Sequence, residues 1–139
     1  MESQLNLLPL AASLCLFIAL IQAWIMTAMR YFNASFLKSV FKNYRFLVLS
    51  HIDYLMMSGL VFGVYLTCVE LSIDLPHLIQ LLIFIGAMYN PFGFLLQSIK
   101  PDIAESGTLM SKVGIALGFM PLTIGLGWAS IALIATTMG

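Results

Sequence analysis

The chain has 139 residues, of which 61% are hydrophobic and only 9% are charged. A soluble domain carries about 25% charged and 45–50% apolar residues, so this composition excludes a water-soluble monomer. The formal net charge is zero and no basic run offers a footprint for nucleic acid, which is therefore not an expected partner.

Four segments are long and apolar enough to cross a bilayer, which requires about 20 residues each. We predict helices at about residues 5–29, 46–69, 76–98 and 109–138. No linker or repeat separates them, so residues 1–139 are expected to form a single domain. The predicted fold is all-α, an integral membrane bundle of four transmembrane helices, and the lipid bilayer is its first expected partner.

The basic residues predict the orientation of the bundle. All six fall in or beside the first and third connections between the helices: Arg30, Lys38, Lys42, Arg45, Lys100 and Lys112. The positive-inside rule puts those connections in the cytoplasm and both termini outside it. We expect the membrane to be the inner membrane of a bacterium.

The stretch from Ser50 to Gly59 places two ionisable side chains, His51 and Asp53, early in the second helix. A charged aspartate at the centre of a spanning helix costs roughly 2.5–3.5 kcal/mol, so such residues usually have a function. Other residues fall at the same depth, roughly 9–15 Å from the cytoplasmic boundary at the rise of an α-helix: Gln22, Tyr89, Asn90 and Pro121. The sequence therefore predicts a polar site in the inner half of the membrane.

His51 and Asp53 point about 200° apart around the helix axis, so they cannot pair with each other. Asp53 needs another partner, either Gln22, Asn90 or a neighbouring subunit, or else it is protonated. His51 is either a hydrogen-bonded core histidine or a ligand of a metal or cofactor. His77, at the outer end of the third helix, is expected to be interfacial.

Prolines and glycines mark special positions in the helices. Tyr89-Asn90-Pro91 is expected to break the third helix, because proline lacks the N–H that would bond the carbonyl of Ala87. Pro121 is expected to kink the fourth helix. Small residues predict close helix approach or self-association; they are Gly59 and Gly63 on the second helix, and Gly114, Ala116, Gly118, Gly125 and Gly127 on the fourth.

Two motifs resemble a known family. The stretch His51-Ile52-Asp53-Tyr54-Leu55-Met56-Met57-Ser58-Gly59 is similar to the second-helix motif of the hydroxylaminobenzene mutase and styrene oxide isomerase group. Gly86-Ala87-Met88-Tyr89-Asn90, followed by Leu95-Leu96, is similar to that group's third-helix motif. Together they cover about a fifth of the chain. Met57 stands where the family has an asparagine that orients the substrate.

This resemblance implies a small four-helix isomerase that forms a homotrimer with haem b at its subunit interfaces. It implies that His51 is the axial ligand, and hence both the metal-binding and the cofactor-binding residue. Ferric iron would act as a Lewis acid on an epoxide oxygen and convert the epoxide to an aldehyde. Tyr89 would orient the substrate, and Asn90 and Asp53 complete the candidate catalytic set.

The leading hypothesis is a haem-binding membrane isomerase that acts on a small lipophilic substrate, either an epoxide or a hydroxylamine. The alternative is a non-enzymatic accessory subunit of a larger membrane complex, in which His51 and Asp53 bond neighbouring helices. A third hypothesis is a proton-coupled transporter that uses Asp53. It is disfavoured because it rests on a single carboxylate within the spanning helices.

Overall fold

A computed structural model describes residues 7–104 and 107–138 of the chain. The α-helices, in chain order, are α1 (Leu7–Tyr31), α2 (Ser35–Val40), α3 (Tyr44–Glu70), α4 (His77–Ile99), α5 (Leu109–Gly114) and α6 (Met120–Met138). A 3-10 helix at Pro101–Ala104 follows α4, and a π-helical turn at Ile115–Phe119 joins α5 to α6.

Within the described residues, four helical segments are long and apolar enough to cross a membrane: α1, α3, α4 and the continuous run Leu109–Met138. This confirms the predicted all-α bundle of four spanning helices and indicates an integral membrane protein. The predicted start of the first helix, at residues 5 and 6, lies outside the described residues. The short helix α2, in the connection from α1 to α3, was not predicted.

The helices form a layered arrangement in which α4 is central. Helices α1 and α3 pack along each other, α4 lies against both of them, and α6 packs mainly on α4. Small side chains on α1 are completely buried, namely Ala11, Ala12, Cys15 and Ala19. Lipid tails are as apolar as leucine, so close backbone approach at small residues, rather than hydrophobicity, favours packing of this kind.

Glycines bring α4 close to α6 and to the preceding π-helical turn at three points. A Cβ atom added to Gly86 would lie 2.5 Å from the backbone nitrogen of Leu122, and one added to Gly118 would lie 2.9 Å from the Cα of Asn90. A Cβ added to Gly125 would lie 2.7 Å from the Cγ1 atom of Ile83. The predicted small-residue contact is confirmed at Gly118 and Gly125.

The other four predicted glycines have open space beside them. Nothing among the described residues lies within 4 Å of a Cβ added to Gly59, Gly63, Gly114 or Gly127. These glycines leave open surface on α3, α5 and α6.

The connections before α3 and after α4 meet at one end of the bundle. The backbone N–H of Asn43 donates to the carbonyl of Ser98 at 2.9 Å, while its side chain caps α3 by accepting from the N–H of Phe46. The two basic connections of the sequence therefore lie side by side.

The structure answers the two proline predictions differently. The expected break at Pro91 is wrong, because α4 is one helix from His77 to Ile99 with Pro91 inside it. Just before Pro121 the backbone forms the π-helical turn, a feature that commonly accompanies a kink. Pro121 has no N–H to donate to the carbonyl of Leu117, which lies within that turn.

Candidate functional site

Asp53 and Asn90 form a side-chain hydrogen bond between α3 and α4. Asn90 Nδ2 donates a hydrogen bond to Asp53 Oδ2 at 3.0 Å, and both side chains are half-buried. Asn90 is thus the partner of Asp53 among the candidates that the sequence left open. The bond fixes the direction of the Asn90 amide, because one of its two N–H groups is directed at the carboxylate.

His51 lies on a different side of α3 and contacts α1. Its Nδ1 is 2.9 Å from the carbonyl oxygen of Ala19. A carbonyl can only accept, so Nδ1 carries the proton, and in the neutral ring Nε2 keeps the lone pair that can bind a metal. The imidazole is half-buried, at the surface between α1 and α3.

The predicted separation of His51 and Asp53 around the helix is therefore confirmed. One side chain bonds α1 and the other bonds α4. Helix geometry alone forces this result, since two residues apart corresponds to about 200° of rotation.

A buried hydrogen-bond chain connects all three central helices at the same level. Gln22 Nε2 donates to Ser50 Oγ at 2.8 Å, and Ser50 Oγ donates to the carbonyl of Pro91 at 3.1 Å. Gln22 and Ser50 are almost completely buried. The other amide atom of Gln22, Oε1, is buried without a hydrogen-bond donor in the described part of the chain.

Ser50 is a residue that sequence reasoning did not single out. Its position directly before His51, at the depth of Gln22, was the available signal. A serine is small enough to be buried between helices and can both accept and donate, which lets it join Gln22 to Pro91.

Two further side chains bond the carbonyls of α4 around its proline. Cys15 Sγ lies 3.6 Å from the carbonyl oxygen of Ala87, the group that Pro91 leaves without its usual N–H partner. Tyr54 donates its hydroxyl proton to the carbonyl of Met88 at 3.1 Å. These bonds help explain why α4 continues through Pro91, since α1 and α3 satisfy backbone groups that the proline disturbs.

A groove of about 490 Å³ lies between the second half of α4 and the segment that contains α5 and the π-helical turn. Its walls are mainly apolar and aromatic, with Tyr89, Asn90, Gln97 and Ser111 as the polar side chains. Tyr89 is 46% exposed and meets Phe92 edge to face, with 6.3 Å between the ring centroids. Such a groove suits a small apolar ligand that presents one polar group.

Of the predicted site residues, Tyr89 and Asn90 of α4 line the groove, Asp53 of α3 reaches it only through its bond to Asn90, and His51 bonds α1 instead. The groove's lining, taken over the described residues, includes Tyr89 and Asn90 and not His51. Met57, at the position of the family's asparagine, is buried in the core and contributes packing.

No cluster of three or more His, Cys, Asp or Glu side chains that could hold a metal ion occurs within residues 7–104 and 107–138. Within those residues His51 is therefore not part of a three-residue metal site. Both cysteines, Cys15 and Cys68, are free and buried, as predicted. His77 is exposed at the start of α4, which agrees with the predicted interfacial position.

Comparisons of the chain with models of protein families, with curated proteins and with solved structures found no match. The candidate site must therefore be interpreted from its own geometry.

Proposed function

We propose that the protein is a haem-binding membrane isomerase in which His51 ligates the iron of haem b through Nε2. The observation that carries the proposal is the hydrogen bond from His51 Nδ1 to the carbonyl of Ala19. Metal-ligating histidines almost always donate their second ring N–H to a carbonyl or carboxylate, which fixes the tautomer and the ring orientation.

The residues around His51 fit such a group. The ring is half-buried, and Nε2 is the ring nitrogen that is not engaged by the carbonyl of Ala19. When bound, ferric haem would supply a Lewis acid that polarises an oxygen atom of the substrate. A single histidine per chain is sufficient, because the porphyrin supplies the other nitrogen ligands.

The groove along α4 is the proposed region for a small lipophilic substrate, an epoxide or a hydroxylamine. Such a molecule would partition into the bilayer and enter from the side. Asp53 holds the amide of Asn90 in one orientation, and the hydroxyl of Tyr89 is available to hydrogen bond the substrate oxygen. In the proposal these residues orient the substrate, in the absence of an asparagine at position 57.

The proposal requires more than one chain. His51 faces α1, whereas the groove lies beside α5, so a second copy would have to bring one chain's histidine to another chain's groove. The open surface at Gly59 and Gly63 on α3 is suited to close helix contact between copies. We propose a homotrimer in a bacterial inner membrane, with both termini outside the cytoplasm, as the basic connections favour.

Absorption spectra of the protein purified in mild detergent test the haem proposal. We expect a Soret band in the wild type that disappears in His51→Asn and in His51→Ala and persists in His77→Ala. Asparagine places its Nδ2 near the position of histidine Nδ1, so His51→Asn keeps a donor for Ala19 while it removes the ligating nitrogen. A wild type without a Soret band would refute the proposal, as would a His51→Asn variant that retains the band.

The accessory-subunit function is the second candidate, and a specific observation favours it. Both ionisable side chains of the α3 motif form hydrogen bonds between helices, which is the role that this candidate requires of them. It predicts that the protein co-purifies with a different membrane protein in fixed stoichiometry. It also predicts that His51→Asn leaves that complex intact, whereas His51→Ala weakens it.

A further inference from the structure

The connection between α1 and α3 forms a second cavity, of about 450 Å³, at the end of the bundle where the two basic connections meet. It is separate from the groove beside α5 and shares no residue with it. Its lining consists of three basic, two aromatic and one aliphatic residue: Arg30, Lys38, Lys42, Phe41, Tyr44 and Met29.

Three of the six residues that line the cavity carry a positive charge. From Arg30 to Arg45, both included, the sequence contains four basic residues and no acidic one. Lys38 bonds the neutral side-chain oxygen of Asn33. Like charges that share one cavity repel each other, so a bound anion would stabilise their arrangement.

Aromatic side chains place this cavity at the level where lipid head groups meet acyl chains. Tyr31, Phe32 and Phe36 are each more than 70% exposed in and beside α2. They lie at the end of the spanning helix α1 and within five residues of it, where exposed aromatic rings favour the interface of the membrane. An apolar surface beside a cationic cavity matches a molecule with an anionic head and acyl chains.

We propose that this cavity binds the phosphate group of an anionic phospholipid, with the acyl chains against the exposed aromatic rings. A zwitterionic phosphatidylcholine fits less well, because its choline would approach the same three cations. The positive-inside rule accounts for the number of basic residues in this connection but not for their convergence on one cavity. Basic cavities at the membrane surface bind anionic head groups in this manner. The proposal does not depend on haem or on isomerase activity.

Native mass spectrometry of the protein released from nanodiscs tests the proposal by counting retained lipids. From nanodiscs of mixed phosphatidylglycerol and phosphatidylcholine, the wild type should retain phosphatidylglycerol preferentially. Neutralising the cavity with Arg30→Gln, Lys38→Gln and Lys42→Gln should weaken that preference about fivefold for each residue and roughly a hundredfold in total. The matched control is Lys100→Gln with Lys112→Gln, which removes two cations from the neighbouring connection and should change retention far less.

Glycerol 1-phosphate, added in excess to the wild type, distinguishes a lipid from a soluble phosphate. The proposal expects it to leave the lipid bound, because it lacks acyl chains to contact the aromatic rings. Displacement of the lipid by it would overturn the proposal in favour of a soluble phosphate ligand. Equal retention of the two lipids by the wild type would also overturn it. So would a control variant whose preference for phosphatidylglycerol falls as much per substituted residue as that of the cavity variant. The wild-type measurements decide the matter even if the triple variant does not fold.

Discussion

Gly86 lies at the closest approach of α4 to α6, and its replacement by alanine gives a sharp test of that contact. An added Cβ would lie 2.5 Å from both the nitrogen and the Cβ of Leu122, and 2.7 Å from its Cα. Carbon atoms at optimal separation are about 3.5–4.0 Å apart. The two helices would therefore have to separate by about 1 Å, since the atoms in the way belong mainly to the backbone.

The expected magnitude follows from two opposing terms. Overpacking of a close contact typically costs 1–3 kcal/mol, and a rigid backbone neighbour puts Gly86→Ala near the upper value of about 3 kcal/mol. Against this, replacing a helical glycine by alanine stabilises the helix by about 1 kcal/mol, because alanine has the higher helix propensity. We expect Gly86→Ala to lower the free energy of unfolding by about 2 kcal/mol.

Gly93, two turns further along the same helix, provides the matched control. Nothing among the described residues lies within 4 Å of a Cβ added there. Gly93→Ala should therefore raise the free energy of unfolding by up to about 1 kcal/mol. Both variants can be unfolded by titration with sodium dodecyl sulfate in mild detergent, with circular dichroism as the readout. A Gly86→Ala variant at least as stable as Gly93→Ala would refute the close contact of α4 with α6.

Three further predictions concern the polar contacts and the open glycine surface. Asp53→Ala should lower the free energy of unfolding by about 1–3 kcal/mol because it leaves the Asn90 amide without its acceptor, whereas Asp53→Asn, which keeps an oxygen, should cost less than half as much. Ser50→Ala should cost a similar 1–3 kcal/mol by leaving Gln22 unpaired, and adding Gln22→Leu should recover part of that loss. Gly63→Leu should leave the single chain folded but reduce its self-association, as measured by analytical ultracentrifugation in detergent.

Each of these has an outcome that contradicts it. Equal losses in Asp53→Ala and Asp53→Asn would mean that the bond to Asn90 contributes nothing measurable. A Ser50→Ala loss that simply adds to that of Gln22→Leu would mean that the two side chains are not coupled. For the glycine surface, Gly127→Leu on α6 is the control, and an equal effect of both leucines on self-association would remove the special role of α3.

The positions of the spanning helices could be predicted closely from the sequence. The predicted segment 46–69 corresponds to α3 at Tyr44–Glu70, and 76–98 corresponds to α4 at His77–Ile99. Prediction works here because the bilayer requires about 20 apolar residues per helix and excludes charges from its interior, so both ends of each helix are marked in the sequence.

The sequence predicted how deep in the membrane the candidate site residues lie, but not which of them are hydrogen-bonded to each other. Counting residues from Arg45 placed Asp53 at the level of both Gln22 and Asn90, and it could not choose between them. The structure pairs Asp53 with Asn90 and pairs Gln22 with Ser50. Depth depends on helical rise along one chain, whereas pairing depends on which faces of three helices meet.

The outcome at Pro91 illustrates the same limit. Its missing N–H is a local fact that the sequence reveals, and it predicted a break in α4. The helix continues through Pro91, and Cys15 of α1, 72 residues from Ala87 in sequence, lies beside the carbonyl that Pro91 leaves free and helps to satisfy it. A long-range contact of this kind has no local signal.

The sequence by itself determined that this is an all-α protein of four spanning helices, and that His51 and Asp53 point to different sides of α3. Composition, segment length and helical periodicity are local properties, and they suffice for those results. Only the tertiary structure decided which helices these side chains contact: His51 bonds α1 and Asp53 bonds α4. It also showed the groove beside the π-helical turn. Nearly every residue of a spanning helix is apolar, so hydrophobic periodicity cannot identify its packing faces, and steric fit at small residues determines them instead.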